Sequence, residues 1–401
     1  MIKYALLSLL SLMFLCTHAQ DYKSIHKEAI VTDSHNDIIT RIMELGPGYK
    51  FESDLSGITH SDLNRFKEGG MDVQVFSIWC DGTQAHPFQY ANRQIDTLYE
   101  WVRRNPDKMM IVTNNDELDR ALKAHKLGAM IGVEGGHMIE NDLGKLDSLY
   151  RRGARYLTLT WNNNNAWATS AEYESGNQKR NGKIDTTSQV KGLNGFGKEV
   201  VRHMNELGMM VDLSHPGAQT FWDAIHTSTK PILVSHSNTY ALNPVYRNLT
   251  DDQIKAVGKN GGVIDLNFYS GFLESGSQKE IEELEPLMEK ELATLLQKGV
   301  SYKEANEKVH QRYADRIKAI TPAFHILFDH MEHIIDLIGV DHVGLGADYD
   351  GFGLTTPEHL DDVSKYPLIT QELVRRGYSK EAIFKILGGN FLRVFRANLL
   401  Q

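Results

Sequence analysis

Short apolar, β-rich runs punctuate the chain at residues 29–37, 71–80, 129–134, 155–161, 209–215, 231–236, 261–268 and 342–348. Most are continuous rather than alternating, as in Ile232-Leu233-Val234, which predicts strands buried on both faces, as in a parallel sheet. Between them, apolar residues recur at helical spacing over 62–69, 89–105, 143–152, 196–207, 219–226 and 251–259. Eight strands alternating with helices predict an α/β fold of the closed (β/α)₈ TIM-barrel type rather than an open sheet. One segment exceeds that rhythm. Residues 274–320, between the seventh and eighth strands, are Glu/Lys-rich with helical spacing and read as a helical insertion ahead of a further helix at 322–338. No linker, repeat or composition break divides residues 20–401, which read as a single domain.

Composition narrows the class. The 401 residues are 41% hydrophobic and 24% charged, with 33 Gly and 10 Pro, which excludes a disordered, collagen-like or multi-span membrane chain. The formal charge is -9, and no basic run is long enough to follow a phosphate backbone, so nucleic acid is not an expected partner. The first residues stand apart from the fold. Lys3, the apolar stretch 5–15 and the small-residue site Thr17-His18-Ala19 predict a signal peptide over 1–19, hence a secreted or periplasmic protein. That stretch is shorter than the ~20 residues of a spanning helix, so no permanent membrane span is expected. Lipid attachment at Cys16 is disfavoured by the bulky Leu15 before it. Cleavage leaves Cys80 as the one cysteine and excludes an internal disulfide.

The chemistry is carried by where the histidines and carboxylates fall. In a (β/α)₈ barrel the reactive groups lie at the C-terminal ends of the strands. The first run ends in Asp33-Ser34-His35-Asn36-Asp37, whose His35 and Asp37 share one side of an extended chain. The third ends in Glu134, the fifth in His215, the sixth in His236 and the eighth in Asp348. Gathered on one rim, these groups would be costly to bury together unless a cation lies among them. The expected arrangement is two ions, with His35 and Asp37 on one, His215 and His236 on the other, Glu134 bridging, and Asp348 left as a base.

These blocks resemble the renal or membrane dipeptidase family of zinc peptidases, a branch of the amidohydrolase-like barrels. The resemblance runs from about Ile30 to Phe395 and includes Gly132-Val133-Glu134-Gly135-Gly136-His137, Tyr156-Leu157-Thr158-Leu159-Thr160, Val234-Ser235-His236-Ser237 and Gly346-Ala347-Asp348-Tyr349-Asp350-Gly351. It implies two zinc ions per chain held by His35, Asp37, Glu134, His215 and His236, and a homodimer. It also implies that Arg247 holds the substrate's free carboxylate and that Asp348 handles the proton of the attacking water, while Asp33, Asp212 and Asp350 support the site. One position departs from the family. Where typical members end the fourth strand in a histidine that contacts substrate and the oxyanion, this chain has Trp161, followed by the polar run 162–165. Either an Asn amide of that run takes over as donor, or the substrate differs.

The implied activity is an exported zinc dipeptidase whose nucleophile is a hydroxide bridging the metals. Two rivals share the scaffold: hydrolysis of another small amide, such as an N-acyl amino acid or a β-lactam, and a non-catalytic metal-binding barrel. Retention of all five ligand positions and Asp348 weighs against the second.

Overall fold

Each apolar run supplies one strand: β1 (Thr32–Asn36), β2 (Val73–Trp79), β3 (Leu127–Glu134), β4 (Ala154–Thr158), β5 (Met210–Asp212), β6 (Leu233–Val234), β7 (Val263–Leu266) and β8 (Val343–Leu345). In the computed structural model, which describes residues 21–176, 179–180, 183–184, 191–353 and 355–400, they are parallel and neighbour one another in chain order. Beyond the last ladder, the Asp37 N–H donates to the Tyr349 carbonyl at 2.9 Å and the Asp348 N–H to the His35 carbonyl at 3.1 Å. These bonds bring the end of β8 to the end of β1, giving a nearly closed parallel barrel, the (β/α)₈ TIM architecture that the strand count predicts. The signal peptide expected over 1–19, with Cys16, lies outside the described residues.

The principal helices are α1 (Ile38–Leu45), α2 (Pro87–Arg104), α3 (Leu143–Arg151), α4 (Gly195–Leu207), α5 (Ala218–Thr227) and α6 (Asp251–Asn260). The insertion contributes α7 (Ser277–Gln297), α8 (Tyr302–Arg312) and α9 (Ala314–Ala319), after which come α10 (His325–Ile338), α11 (Tyr366–Arg375) and α12 (Asn390–Asn398). Local signals set several of their ends. Thr250 and Gln253 form a reciprocal capping box at the start of α6, and Asp142, Asn194 and Ser301 cap α3, α4 and α8. A short strand, Met109–Ile111, adds to the edge of β3 outside the barrel path and is followed by the helix Asn115–Lys123. Three residues carry too little periodicity to announce a strand in sequence.

Side-chain alternation sorts the core into two layers. Phe76, Ile78, Ile131, Val133 and Leu157 belong to the cluster shared with the surrounding helices. Val73, Val75, Met130, Met210, Leu233 and Val263 cluster instead with Phe391, Leu392 and Phe395 of α12, closing the barrel where its strands begin. Towards the other end the buried residues turn polar, with Ser34, Thr158, Asp212, Ser235 and Asp265 all at 0% exposure. Asp33 and Asp212 are well satisfied: Asp33 accepts from the His35 N–H at 2.8 Å and the Ala347 N–H at 3.0 Å, and Asp212 accepts from the Ser235 N–H at 2.8 Å.

Asp265 differs, since neither carboxyl oxygen has a hydrogen-bond partner. The Ser34 hydroxyl is committed to the Ser235 carbonyl at 2.6 Å. Burial, with Asp33 and Asp212 adding and Ser34 opposing, holds the Asp265 carboxyl well above the usual carboxylate range. A raised carboxyl pKa favours the folded state fully below the unfolded value of ~3.9, and the advantage is lost as pH rises towards the folded value. Asp265→Asn, which keeps the shape but stays neutral where the carboxyl is driven to ionise, is therefore expected to raise the melting temperature by a few degrees at neutral pH. The gap over wild type widens from about pH 5 to pH 8 in differential scanning fluorimetry, and parallel curves would refute it.

Candidate metal centre and substrate cavity

The three predicted imidazoles arrive on different strand ends with the same orientation. His35 Nδ1 lies 2.7 Å from the Tyr156 hydroxyl, His215 Nδ1 3.0 Å from Asn162 Oδ1, and His236 Nδ1 2.8 Å from Ser235 Oγ. Ser235 Oγ in turn donates to Asp212 at 2.7 Å. With each Nδ1 engaged by an oxygen, each Nε2 is left for the interior, which is how metal-binding histidines are usually held. All three Nε2 atoms meet Glu134. Its Oε2 lies 3.3 Å from His35, while its Oε1 lies 2.8 Å from His215 and 3.5 Å from His236. Asp37 Oδ2 lies 3.3 Å from His35 Nε2, and Asp348 Oδ1 lies 3.8 Å from it.

Two glycines make this crowding possible. A Cβ on Gly132 of β3 would collide with the Tyr156 ring, so its absence lets that phenol reach His35. A Cβ on Gly351 would collide with the carboxylates of both Asp37 and Asp348. Asp348 itself has φ 63° and Asp350 φ 67°, left-handed values that an L side chain adopts at a cost and that cluster at functional sites. The Asn267 amide donates to Asp348 Oδ2 at 2.9 Å and orients it, leaving Oδ1 towards His35.

The electrostatics fit cation binding. Burial opposes charge on Glu134, but His35, His215 and His236 outweigh it and hold this carboxyl well below its usual range. Asp37 is raised by burial against the pull of His35, and Asp348 is raised well above its usual range by burial, with Asp37 and Glu134 adding. Burial lowers His215 to about 4, helped by Arg247, and burial with His35 also lowers His236. Burial works against His35 too, yet Tyr156, Glu134 and Asp37 raise it. The chain's own groups thus favour charge on Glu134 and His35 and oppose it on Asp37 and Asp348, a balance that a cation among the carboxylates would reverse. His35, Glu134 and His236 form one group of donor atoms within 4.8 Å of one another, and His35, Asp37 and Asp348 form a second. Buried atoms without hydrogen-bond partners include His35 Nε2 and Asp37 Oδ1. Nitrogen and oxygen donors of this kind suit zinc and related divalent metals.

Above the centre lies a cavity of about 750 Å³, bordered by Asp37, Glu134, Trp161, His215, Arg247 and Asp348 among others. Arg247 is only 3% exposed; its guanidinium donates to the Ser214 carbonyl and to Ser237 Oγ at 3.3 Å, and sits 5.1 Å from the centroid of Phe272. Trp161 packs edge-on against Trp79 with ring centroids 5.0 Å apart, and lies 6.5 Å from the His215 ring. The run 162–165, expected to offer a replacement donor, divides. Asn164 accepts from the Ser170 N–H at 2.8 Å, and Asn165 accepts from the Trp167 and Ala168 N–H groups at 3.0 and 2.8 Å, so both build the loop. Of the four, Asn162 alone borders the cavity, and it is engaged with His215. Cys80 is buried, and burial pushes its thiol up to about 12, which removes it as a nucleophile.

A model of the membrane dipeptidase family, peptidase family M19, matches residues 19–400. The chain belongs to the membrane dipeptidase family. It is therefore a hydrolase of the metallo-dipeptidase class, and the family implies a metal cofactor. Solved structures share the fold. The probable dipeptidase PvdM from Pseudomonas aeruginosa is 24% identical with a TM-score of 0.75, over 95% of this chain and 98% of that one. A metallopeptidase from Rhodobacter sphaeroides is 23% identical with a TM-score of 0.72, over 93% of this chain and 100% of that one. An amidohydrolase from Pseudomonas aeruginosa is 21% identical with a TM-score of 0.70, over 94% and 98%. Among the described residues of this family member, no helix is long and apolar enough to cross a membrane.

Three supporting roles were not read from the sequence. Tyr156, Asn162 and Ser235 hold the three ring nitrogens, yet each is ordinary in composition and spacing. Only the inward position of Tyr156 on β4, opposite Gly132 of β3, offered a signal, and it requires the strand register to read.

Proposed function

We propose that this metallo-dipeptidase cleaves dipeptides bearing a free C-terminal carboxylate, using two zinc ions. The observation that carries the reading is the convergence of His35, His215 and His236 on the two oxygens of Glu134, with Asp37 and Asp348 alongside His35. His35 and Asp37 would hold one ion, His215 and His236 the other, and Glu134 would give one oxygen to each. Bound there, the metals would supply an activated water at neutral pH and polarise the scissile carbonyl. Asp348 Oδ1 accepts the proton of the attacking water and returns it to the leaving amine as the C–N bond breaks. Arg247 pairs with the substrate carboxylate, and its burial in the barrel rim makes that pairing strong and size-selective.

The test is a panel of L,L and L,D dipeptides, N-acyl amino acids and a β-lactam, with metal analysis of the same sample. Dipeptide turnover at two zinc per chain is expected; preference for the acyl amino acids or the lactam would replace the substrate assignment. A phosphinate dipeptide mimic, the ligand class present in the Rhodobacter enzyme, is the matching inhibitor. Export with loss of residues 1–19 and assembly as a homodimer belong to the same proposal. N-terminal sequencing of the mature protein and light scattering check them.

Trp161 sets a further expectation. An indole where the family has an imidazole gives the cavity an apolar wall beside His215. Trp161→His should leave the metal content unchanged and shift the ranking of dipeptides by at least ~1 kcal/mol between apolar and polar side chains, the scale of one pocket contact. An unchanged ranking would mean that the indole serves only to pack Trp79.

A further inference from the structure

The insertion between β7 and β8 does not stand clear of the barrel. Helices α7 and α8, with Ile320 just past α9, share an apolar core of their own, in which Ile281, Leu284, Met288, Val309 and Ile320 are each at most 5% exposed. From that core, Glu285, Met288, Glu289 and Leu292 of α7 and Tyr302 of α8 border the same cavity as the metal centre. The insertion leaves the barrel after β7, passes over β8 and lands beside β1. There the Arg41 guanidinium of α1 donates to the Tyr302 hydroxyl and lies 5.4 Å from the ring centroid, Tyr49 meets the same ring edge-on at 6.5 Å, and the Asn306 amide donates to the Gly57 carbonyl at 3.2 Å. The roof is thus a packed pair of helices tied down at its far end.

Its position relative to the substrate follows from the barrel. Arg247 is anchored on the Ser214 carbonyl and Ser237, just past β5 and β6, and in an eight-stranded barrel β1 lies opposite β5. On that placement, a dipeptide held by its carboxylate at Arg247, with its amide over the centre, would point its amino end towards the opposite side, where β1, Arg41 and Tyr302 lie. One more residue at that end would need ~3.5 Å of further length.

On the reading that Arg247 holds the substrate carboxylate, we infer that α7 and α8 form the end wall that limits substrates to two residues, with Tyr302 and Met288 as the side chains that exclude an extension at the amino end. The substrates so excluded are tripeptides with a free carboxylate, whose cleavage would release the C-terminal amino acid.

The experiment compares kcat/KM for a dipeptide that the enzyme cleaves with that for the same dipeptide extended by one alanine at its amino end. Tyr302→Ala and Met288→Ala are each expected to raise the tripeptide-to-dipeptide ratio by at least ~10-fold, as removal of a steric block in a pocket does. Tyr302→Phe, which keeps the ring and loses the bond from Arg41, should stay within ~3-fold of wild type. Met288 also belongs to the insertion's core, so Leu292→Ala, at its partly exposed edge, provides a second opening of the wall should Met288→Ala unfold it. Unchanged ratios in the alanine variants, with native circular dichroism and metal content, would overturn the end wall. So would wild-type cleavage of the tripeptide at a rate comparable to the dipeptide. Failure of the wild type on every dipeptide in the panel would instead overturn the substrate reading.

Discussion

Glu134→Gln is expected to strip metal from the purified protein and lower turnover by at least ~10³-fold, equivalent to ~4 kcal/mol of lost transition-state stabilisation. The reason lies in how one carboxylate serves two groups. Its Oε1 stands against His215 and His236 and its Oε2 against His35, so the charge is shared across the whole centre. An amide keeps the shape but turns one oxygen into an N–H₂ donor, which offers nothing to a cation and faces imidazole nitrogens that must themselves be acceptors to bind metal. Elemental analysis after gel filtration, beside a kinetic assay, checks this. Full metal occupancy with normal turnover would remove Glu134 from the bridging position.

Asp348→Asn is expected to lower kcat by ~10² to 10⁴ while the metal content stays at the wild-type level. Asp348 Oδ1 lies with His35 and Asp37 in one set of donor atoms within 4.8 Å, close enough to ligate. Its side chain is nevertheless 15% exposed, against 0% for His35 and 6% for Asp37, and borders the cavity above the centre. Asn267 holds the other oxygen, an arrangement suited to a group that must present one oxygen to a moving proton. Loss of metal together with activity would make Asp348 a ligand and leave the proton-handling role without an owner.

The legible part of the molecule was the part written locally. Continuous apolar runs such as Ile232-Leu233-Val234 announce buried parallel strands because a strand covered on both faces needs no polar alternation. The ladders nevertheless stop short of the runs: β5 ends at Asp212 and β6 at Val234, leaving His215 and His236 just past them. That offset is how a barrel displays its strand ends, as the backbone leaves the ladder there to enter the loops. The edge strand at Met109–Ile111 carried no comparable pattern.

Sequence by itself therefore determined the strand count, the helical insertion and the residues that gather at the rim, since each follows from periodicity or from position at the end of a run. Tertiary structure alone decided how those residues act on one another. Tyr156 supports His35 across 121 residues of chain, Arg41 meets Tyr302 across 261, and Asn267 orients Asp348 across 81. No local pattern encodes such pairs, because they depend on strand register, on the space left by Gly132 and on where the insertion lands. The identity of the donors was readable from the chain; their orientation, their charges and the helices that border their cavity are properties of the packed barrel.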